Sequence, residues 1–459
     1  MSDAFLSGRN AALFTDLYEL TMAQAYLAAG MVDPATFSLY YRTLPERRGY
    51  VLSCGIEDVA DFVTELRFSD SDLAYLEQTG LFSGHFLDYL AALRFTGDVY
   101  GLPDGMPVFP LEPLVEVTAP APQAQILETW VLNQMHAQSV LATKASRVVA
   151  AARGRPVLDF GLRRIHGADG GLKAARAFYI AGVQATSNVL AGKVYGIPIA
   201  GTMAHSFVQA HEDELAAFRA FVAEFPDTVL LVDTYDTLRG VDNVVRLARE
   251  LGDGFRVRGV RLDSGDLGPL AREARRRLDA AGLGDVQIFV SGGLDEYEVD
   301  ALMAAGFPID GFGVGTAMGV STDAPVLDMA YKLVAYAGEG RMKLSTGKPS
   351  LPGAKQIFRH VEGGVATGDT LGRRDEALNG TPLLEPIVVG GRRVRAPEPI
   401  EAARQRAAAA LGTLPADLRG IEPRGAPYPV RLSPALERHR DEVRQRILAR
   451  ATADEESVR

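Results

Sequence analysis

A histidine and a serine stand together in Gly201-Thr-Met-Ala-His205-Ser206. The preceding apolar run, Val194 to Ala200, reads as a strand, and Phe207 to Glu224 reads as a helix. This places His205 at the C-terminal end of a strand, where α/β folds gather their chemistry. A neutral imidazole is a nucleophile near pH 7 and can attack a phosphoryl group. Asp233 ends the next strand-like run, Val229-Leu-Leu-Val, and is expected to orient the ring and stabilise its charged form. The plain alternative is a histidine hydrogen-bonded at a helix start. A zinc site made from His205, His211 and Glu212 lacks the metalloprotease spacing.

Other polar clusters follow other strand-like runs. Val157-Leu-Asp-Phe160 is followed by Gly161-Leu-Arg163-Arg164, an aromatic face beside fixed positive charge. Arginine forks match carboxylate and phosphate oxygens. Read as a helix start, that position disfavours cations, and a bound anion would relieve the conflict. Arg261-Leu-Asp263-Ser264-Gly-Asp266 gathers an arginine, two carboxylates and a hydroxyl. Carboxylates suit ribose hydroxyls or a magnesium ion arriving with phosphates. The alternative is an N-cap from Asp263 or Ser264, with Asp266 in the first turn. Ser291-Gly292-Gly293 and Gly313-Val-Gly315-Thr316 are glycine turns whose backbone N–H groups can cradle a phosphate. Glycine turns are common, but two on late strands match the phosphate site of a βα barrel.

The elements that must position these residues alternate strand and helix from about 155 to 335, the pattern of a βα barrel. Before it, residues 13–30 read as an amphipathic helix capped by Thr15 or Asp16, with Glu19 completing the box and Gly30 ending it. Thr36 to Tyr41 alternates like a strand, and Gly97 to Val117 reads as short strands and turns. Gln123 to Arg153 reads as a long helix joining domains. After the alternation come Gly/Pro-rich segments with Lys343, Lys348, Lys355 and Arg359. Residues 399–412 and 433–451 read as charged helices, and Asp454 to Arg459 is expected to fray.

The chain has 459 residues, enough for two or three domains. Apolar residues make up 47% and charged residues 23%, which fits a soluble globular protein. No apolar run reaches the roughly 18 residues of a membrane span. The opening Met-Ser-Asp-Ala-Phe has no charged segment leading into an apolar core, so no secretory signal is expected. The single cysteine, Cys54, rules out an internal disulfide and a multi-cysteine metal site, and a reducing cytoplasm fits. Asn379-Gly-Thr381 matches a glycosylation acceptor, which without secretion is read as chance. A net charge of −10 argues against nonspecific nucleic-acid binding, so anionic substrates must be met by local arginines.

As an ordered set, these motifs resemble the nicotinate phosphoribosyltransferase family. The resemblance runs from Thr15-Asp-Leu-Tyr18-Glu-Leu-Thr21 to Tyr428-Pro-Val-Arg-Leu-Ser-Pro-Ala-Leu436. Between them lie Phe160-Gly-Leu-Arg-Arg164, Thr186-Ser-Asn-Val-Leu-Ala-Gly192, the His205 segment, Val260-Arg-Leu-Asp-Ser-Gly-Asp266 and Gly313-Val-Gly-Thr316. The resemblance implies an α/β fold, an irregular βα (TIM-like) barrel with a second α+β domain formed from both chain ends. The expected divisions are 1–122, then the barrel at 123–335, then a returning segment at 336–459. It implies transfer of phosphoribosyl from phosphoribosyl pyrophosphate to nicotinate, giving nicotinate mononucleotide and pyrophosphate. ATP hydrolysis is coupled through a phosphohistidine, which falls on His205, with magnesium accompanying the phosphates. Tyr18 and Phe160 would sandwich the pyridine ring, Tyr18 coming from the neighbouring subunit of a homodimer. Arg163 and Arg261 would hold anionic parts of the ligands, and Asp263 would face the ribose hydroxyls. Gly315 and Thr316 would hold the nucleotide phosphate.

The nearest alternative is nicotinamide phosphoribosyltransferase. The amide-using relatives carry aspartate at position 187, where this chain has Ser187, which can donate to a carboxylate or simply cap a helix. Leu231-Val-Asp-Thr-Tyr-Asp-Thr237 looks superficially like the phosphoribosyl loop of type I phosphoribosyltransferases, but it lacks their acidic pair and Thr-Gly ending. A non-catalytic metabolite-binding barrel would show a catalytic gap, and His205, Asp233 and Asp263 are all present.

Overall fold

The structure is a computed structural model that describes residues 10–344, 350–423 and 425–457. The opening five residues, Lys348, Val458 and Arg459 lie outside the described residues. The chain forms two compact units. One takes the chain up to Thr143 and again from Ala324, and the other is Lys144–Asp323.

The Lys144–Asp323 unit holds six short parallel strands: β1 (Val157–Asp159), β2 (Ala185–Thr186), β3 (Val229–Leu231), β4 (Gly259–Leu262), β5 (Gln287–Ser291) and β6 (Gly311–Val314). Their spatial order is β2-β1-β6-β5-β4-β3, an open, curled half-barrel. The first and last strands are therefore neighbours, with Asp159 paired to Val314. That pairing brings the turn after β1 beside the turn after β6. Helices Ala168–Ile180, Thr237–Leu251, Leu267–Ala280 and Glu296–Ala304 make the crossovers. Strands flanked by helices read as continuous apolar runs, and β6 is buried along its whole length.

Local expectations change in this unit. Val194 to Ala200 is not a strand: helix Val189–Tyr195 runs into it, and Gly196 ends that helix with φ 71°. Pro198 then has no N–H to give to a ladder, and only Ile199 bridges, to Thr186. His205 consequently opens a short helix, His205–Gln209, after an irregular loop. The expected Phe207–Glu224 helix is broken, because Asp213 caps a new one, Glu214–Glu224. Arg163 and Arg164 sit in a 3-10 turn, and the next α-helix starts at Ala168, so the expected conflict with a helix dipole does not arise.

In the other unit the two chain segments share one seven-stranded sheet. Strand Pro34–Tyr41 lies between Met329–Tyr336 and Val115–Pro120, antiparallel to both. It does not alternate: every residue after Pro34 is buried, so both faces are covered. Gly97 to Val117 resolves into Asp98–Gly101, Pro107–Val108 and the start of Val115–Pro120. The long helix is interrupted at Leu127, giving Ala121–Ile126 and Glu128–Ala151. Trp130 stacks on Phe62 and Tyr331 on Phe37, with ring centroids 4.3 and 4.8 Å apart. The first helix is Leu17–Ala28, and Asp16 makes no side-chain cap. The Thr15 hydroxyl instead donates to Glu19 Oε2 at 2.7 Å. Helices Ile400–Thr413 and Pro434–Ser457 close the chain, the second continuing past Asp454, where fraying was expected. No helix among the described residues is long and apolar enough to cross a membrane.

Candidate functional site

A cavity of about 710 Å³ opens at the C-terminal ends of the half-barrel strands. Phe160 and Arg163 enter it from the turn after β1, and Ser187 from the turn after β2. His205 enters from its short helix, and Arg261 and Asp263 from the end of β4. Ser291, Gly292 and Gly293 follow β5, and Gly315 and Thr316 follow β6. Residues scattered over 150 positions meet because parallel strands all point their C-terminal ends the same way.

The turns are fixed to one another. Asp159 is 1% exposed and ends β1. Its Oδ1 accepts the Gly161 N–H at 2.8 Å and its Oδ2 accepts the Thr186 hydroxyl at 2.7 Å, tying the turns after β1 and β2 together. Burial raises its pKa, while these two hydrogen bonds pull the other way. The Ser187 N–H donates to the Asp159 carbonyl at 2.9 Å. The helix-cap reading of Ser187 does not hold: Asn188 is the cap, accepting the Ala191 N–H at 3.1 Å. Phe160 lies against Gly313, where an added Cβ would come within 2.6 Å of the ring. The Arg261 guanidinium stands 5.9 Å from the Phe160 ring centroid.

Arg261 and Asp263 form the charged floor. Arg261 Nη1 donates to Asp263 Oδ1 at 2.9 Å and to Ser291 Oγ at 3.0 Å, and Nη2 donates to the Met203 carbonyl at 3.0 Å. Burial lowers the Arg261 pKa, but a guanidinium stays charged across the working range. The Ser291 hydroxyl also donates to Asp263 Oδ1. Gly292, at φ 95°, passes so close to the Asp263 carbonyl that an added Cβ would meet that oxygen at 1.8 Å. Ser264 does not cap the following helix. Its hydroxyl donates to Asp233 Oδ2 at 2.6 Å, and that helix begins after Asp266 without a side-chain cap.

His205 Nε2 lies 3.8 Å from Asp263 Oδ2, and its Nδ1 is 3.1 Å from the Thr234 hydroxyl. Asp233, expected to orient the ring, does not line the cavity. Its Oδ2 accepts the Asp263 N–H at 2.9 Å, and its Oδ1 is buried without a hydrogen-bond partner. Thr234, in the bend after β3, meets the ring, while Asp233 is turned to Asp263 and Ser264. Thr234 and Asp159 are the residues that sequence reasoning passed over. The signal for Asp159 was an acid ending an apolar strand beside Phe160. The signal for Thr234 was a hydroxyl next to the acid given its role. His211, in the rejected zinc reading, hydrogen-bonds the Phe207 carbonyl at 2.7 Å. Among the described residues no three metal-binding side chains cluster.

Tyr18 belongs to the other unit, where it is 44% exposed on helix Leu17–Ala28. Partial burial and the neighbouring acids Glu128 and Glu19 raise the pKa of its phenol, so it is a neutral aromatic surface at any working pH. Glu128 also lines a cavity of about 290 Å³ in that unit, together with Arg42, Lys332 and Lys343. An aromatic plate, a paired arginine and carboxylate, an imidazole and glycine turns converge on the cavity, a set of groups that suits a flat ring joined to a phosphorylated sugar.

Residues 13–136 match the family described as the nicotinate phosphoribosyltransferase (NAPRTase) N-terminal domain. The chain is 57% identical over 423 residues to nicotinate phosphoribosyltransferase pncB2 of Mycobacterium tuberculosis, covering 92% of this chain and 91% of that protein. It is 41% identical over 377 residues to nicotinate phosphoribosyltransferase of Bacillus subtilis, covering 80% and 77%. The crystal structure of human nicotinic acid phosphoribosyltransferase matches at 31% identity with a TM-score of 0.83, over 92% of this chain and 98% of that one. The half-barrel cavity and a sequence match that runs almost end to end agree, and the chain belongs to the nicotinate phosphoribosyltransferase family.

Proposed function

We propose that the half-barrel cavity transfers phosphoribosyl from phosphoribosyl pyrophosphate to nicotinate, releasing pyrophosphate, as a step of NAD salvage. One observation carries the reading. His205, Asp263, Arg261 and Phe160, distant in sequence, converge on one cavity in a chain 57% identical to a nicotinate phosphoribosyltransferase. Phe160 supplies one face for the pyridine ring, and Ser187 donates to the nicotinate carboxylate. Arg163 and Arg261 hold anionic oxygens. Displacement at the anomeric carbon develops positive charge on the sugar, which the Asp263 carboxylate stabilises while it faces the ribose hydroxyls. Ser291, Gly292 and Gly293, with Gly315 and Thr316, present N–H and O–H donors to phosphate. Asp233 acts through Asp263, holding its main chain.

His205 takes the γ-phosphoryl group of ATP during turnover, coupling ATP hydrolysis to transfer. The cavity fits magnesium as a companion of phosphate: Asp263 would offer a carboxylate oxygen, and phosphate and water would supply the rest. When bound, magnesium neutralises the pyrophosphate leaving group. The active form is a homodimer in which the partner subunit's Tyr18 covers the second face of the pyridine ring. The exposure of Tyr18, whose neighbour Glu128 lines the cavity that holds Arg42, Lys332 and Lys343, supports this reading. The two compact units serve as a half-barrel domain and an α+β domain, the half-barrel unit Lys144–Asp323 being narrower than the expected 123–335. A cytoplasmic setting suits a chain whose one cysteine, Cys54, is buried.

The test is pyrophosphate release by the purified protein with nicotinate, nicotinamide or quinolinate, each with and without ATP. Release with nicotinate, increased by ATP, is expected. Release with nicotinamide or quinolinate in preference to nicotinate overturns the substrate assignment.

A further inference from the structure

We infer that Thr234 is a positioning residue that selects which nitrogen of His205 receives the phosphoryl group. The inference rests on the phosphohistidine reading above and assigns the atom. The ring has two contacts of different character. Nδ1 lies 3.1 Å from the Thr234 hydroxyl, and Nε2 lies 3.8 Å from Asp263 Oδ2 on the cavity side. A neutral imidazole carries its proton on one nitrogen and its lone pair on the other, and the hydrogen bond at one decides the other. A threonine hydroxyl can donate or accept. Accepting the Nδ1–H leaves the lone pair on Nε2, beside the carboxylate that favours the positive charge the ring gains on attack. The opposite tautomer would set an N–H at Nε2 and take the nucleophile out of the cavity.

Thr234 is held for this part. It follows β3 directly after Asp233, whose carboxylate is fixed by the Asp263 N–H and the Ser264 hydroxyl. Asp236 then caps helix Thr237–Leu251 through the Arg239 N–H at 2.8 Å. Thr234 is thus anchored on both sides. In the step itself, the Nε2 lone pair forms the N–P bond as the bond from the γ-phosphorus to its bridging oxygen breaks. ADP leaves with that oxygen and its electron pair, and Nδ1 keeps its proton. Water later takes the phosphoryl group, its protons pass to phosphate and solvent, and the lone pair returns to Nε2.

Incubation of the full-length enzyme with ATP, followed by phosphorus NMR of the denatured phosphoprotein, distinguishes phosphate on Nε2 from phosphate on Nδ1. Phosphate on Nε2 is expected, and phosphate on Nδ1 overturns the proposal. Thr234→Val removes the hydroxyl at nearly constant shape. Phosphoenzyme formation should fall about 10- to 100-fold more than ATP-independent transfer, the scale of one hydrogen bond to a group that gains charge. Thr234→Ser should recover most of it. A merely structural role would lower both rates by the same factor, and an unchanged ratio in a normally melting Thr234→Val protein overturns the proposal. If wild type takes no label from γ-labelled ATP, or His205→Ala takes as much as wild type, the phosphohistidine reading itself has failed and this inference with it. Label present in wild type, absent from His205→Ala and unaffected in Thr234→Val rejects the positioning role alone.

Discussion

The Asp263 N–H donates to Asp233 Oδ2 at 2.9 Å, so the acid that follows β3 holds the backbone of the acid that follows β4. Asp233 therefore fixes the main chain that carries Asp263 into the cavity. Replacing it by Ala removes two hydrogen bonds and leaves the Asp263 N–H to find water. Each hydrogen bond to a charged group is worth roughly 1.5–3 kcal/mol. A loss of about 10- to 100-fold in kcat/KM is expected both with and without ATP. Steady-state kinetics under the two conditions check it. A loss confined to the ATP-coupled reaction would instead mark Asp233 as a partner of His205.

His205→Ala should separate ATP hydrolysis from transfer. Phe160, Arg261 and Asp263 keep their places, so some ATP-independent formation of nicotinate mononucleotide should remain. Wild type incubated with γ-labelled ATP should carry an acid-labile label that the variant lacks.

Tyr18 and His205 lie in different compact units of the chain, and the proposal joins them across a homodimer. Mixed Tyr18→Ala and His205→Ala proteins should then recover part of the ATP-coupled activity through hybrid dimers. The check is activity after subunit exchange, followed by mass measurement. Hybrid dimers that form yet stay inactive would place each site within a single chain.

Ser187 lines the cavity and is not the helix cap, which leaves its side chain for the ligand. In Ser187→Asp, a second carboxylate about 4 Å from that of nicotinate costs roughly 4 kcal/mol at an effective dielectric near 20. That is on the order of a thousandfold in nicotinate affinity while the aspartate stays ionised. Neutral nicotinamide escapes the repulsion. The ratio of kcat/KM for the two substrates should fall, and an unchanged ratio in a stable protein would show that another residue makes the choice.

Glu19 supplies a pH dependence. Burial pushes its carboxyl up to about 7, against the hydrogen bonds that Thr129 and Thr15 donate to it. With a folded pKa above the unfolded one, the folded state binds the extra proton between about pH 4.5 and 7. The contribution of Glu19 is thus most favourable at low pH and is lost as pH rises through 7. Glu19→Gln should remove that slope, so wild type should lose roughly 1–3 kcal/mol more than the variant between pH 5 and 8. Denaturant titrations of both proteins at the two pH values check it. Parallel curves would show that the proton is already lost below pH 5.

The sequence by itself determined the chemistry-bearing residue types and the strand-end turns that carry them. Short apolar runs followed by polar clusters sufficed for this, because a parallel strand buried on both sides has little room for polar residues except at its ends. Phe160, Arg163, Arg261, Asp263 and the glycine turns were legible on that ground. Local pattern failed at Val194–Ala200, where an apolar run became a helix end and a loop. The Asn188 cap, the left-handed Gly196 and Pro198 outweighed hydrophobicity there. Which acid meets which ring was decided only by the tertiary structure. Asp233 and Thr234 are adjacent in sequence and face different partners, Asp263 and Ser264 against His205, all of them distant in the chain. The neighbouring of β1 and β6, which joins the Phe160 turn to the Gly315 turn, arises from pairing across more than 150 residues. No window of sequence contains that contact, because it is fixed by the burial of the whole sheet rather than by any segment's own preference.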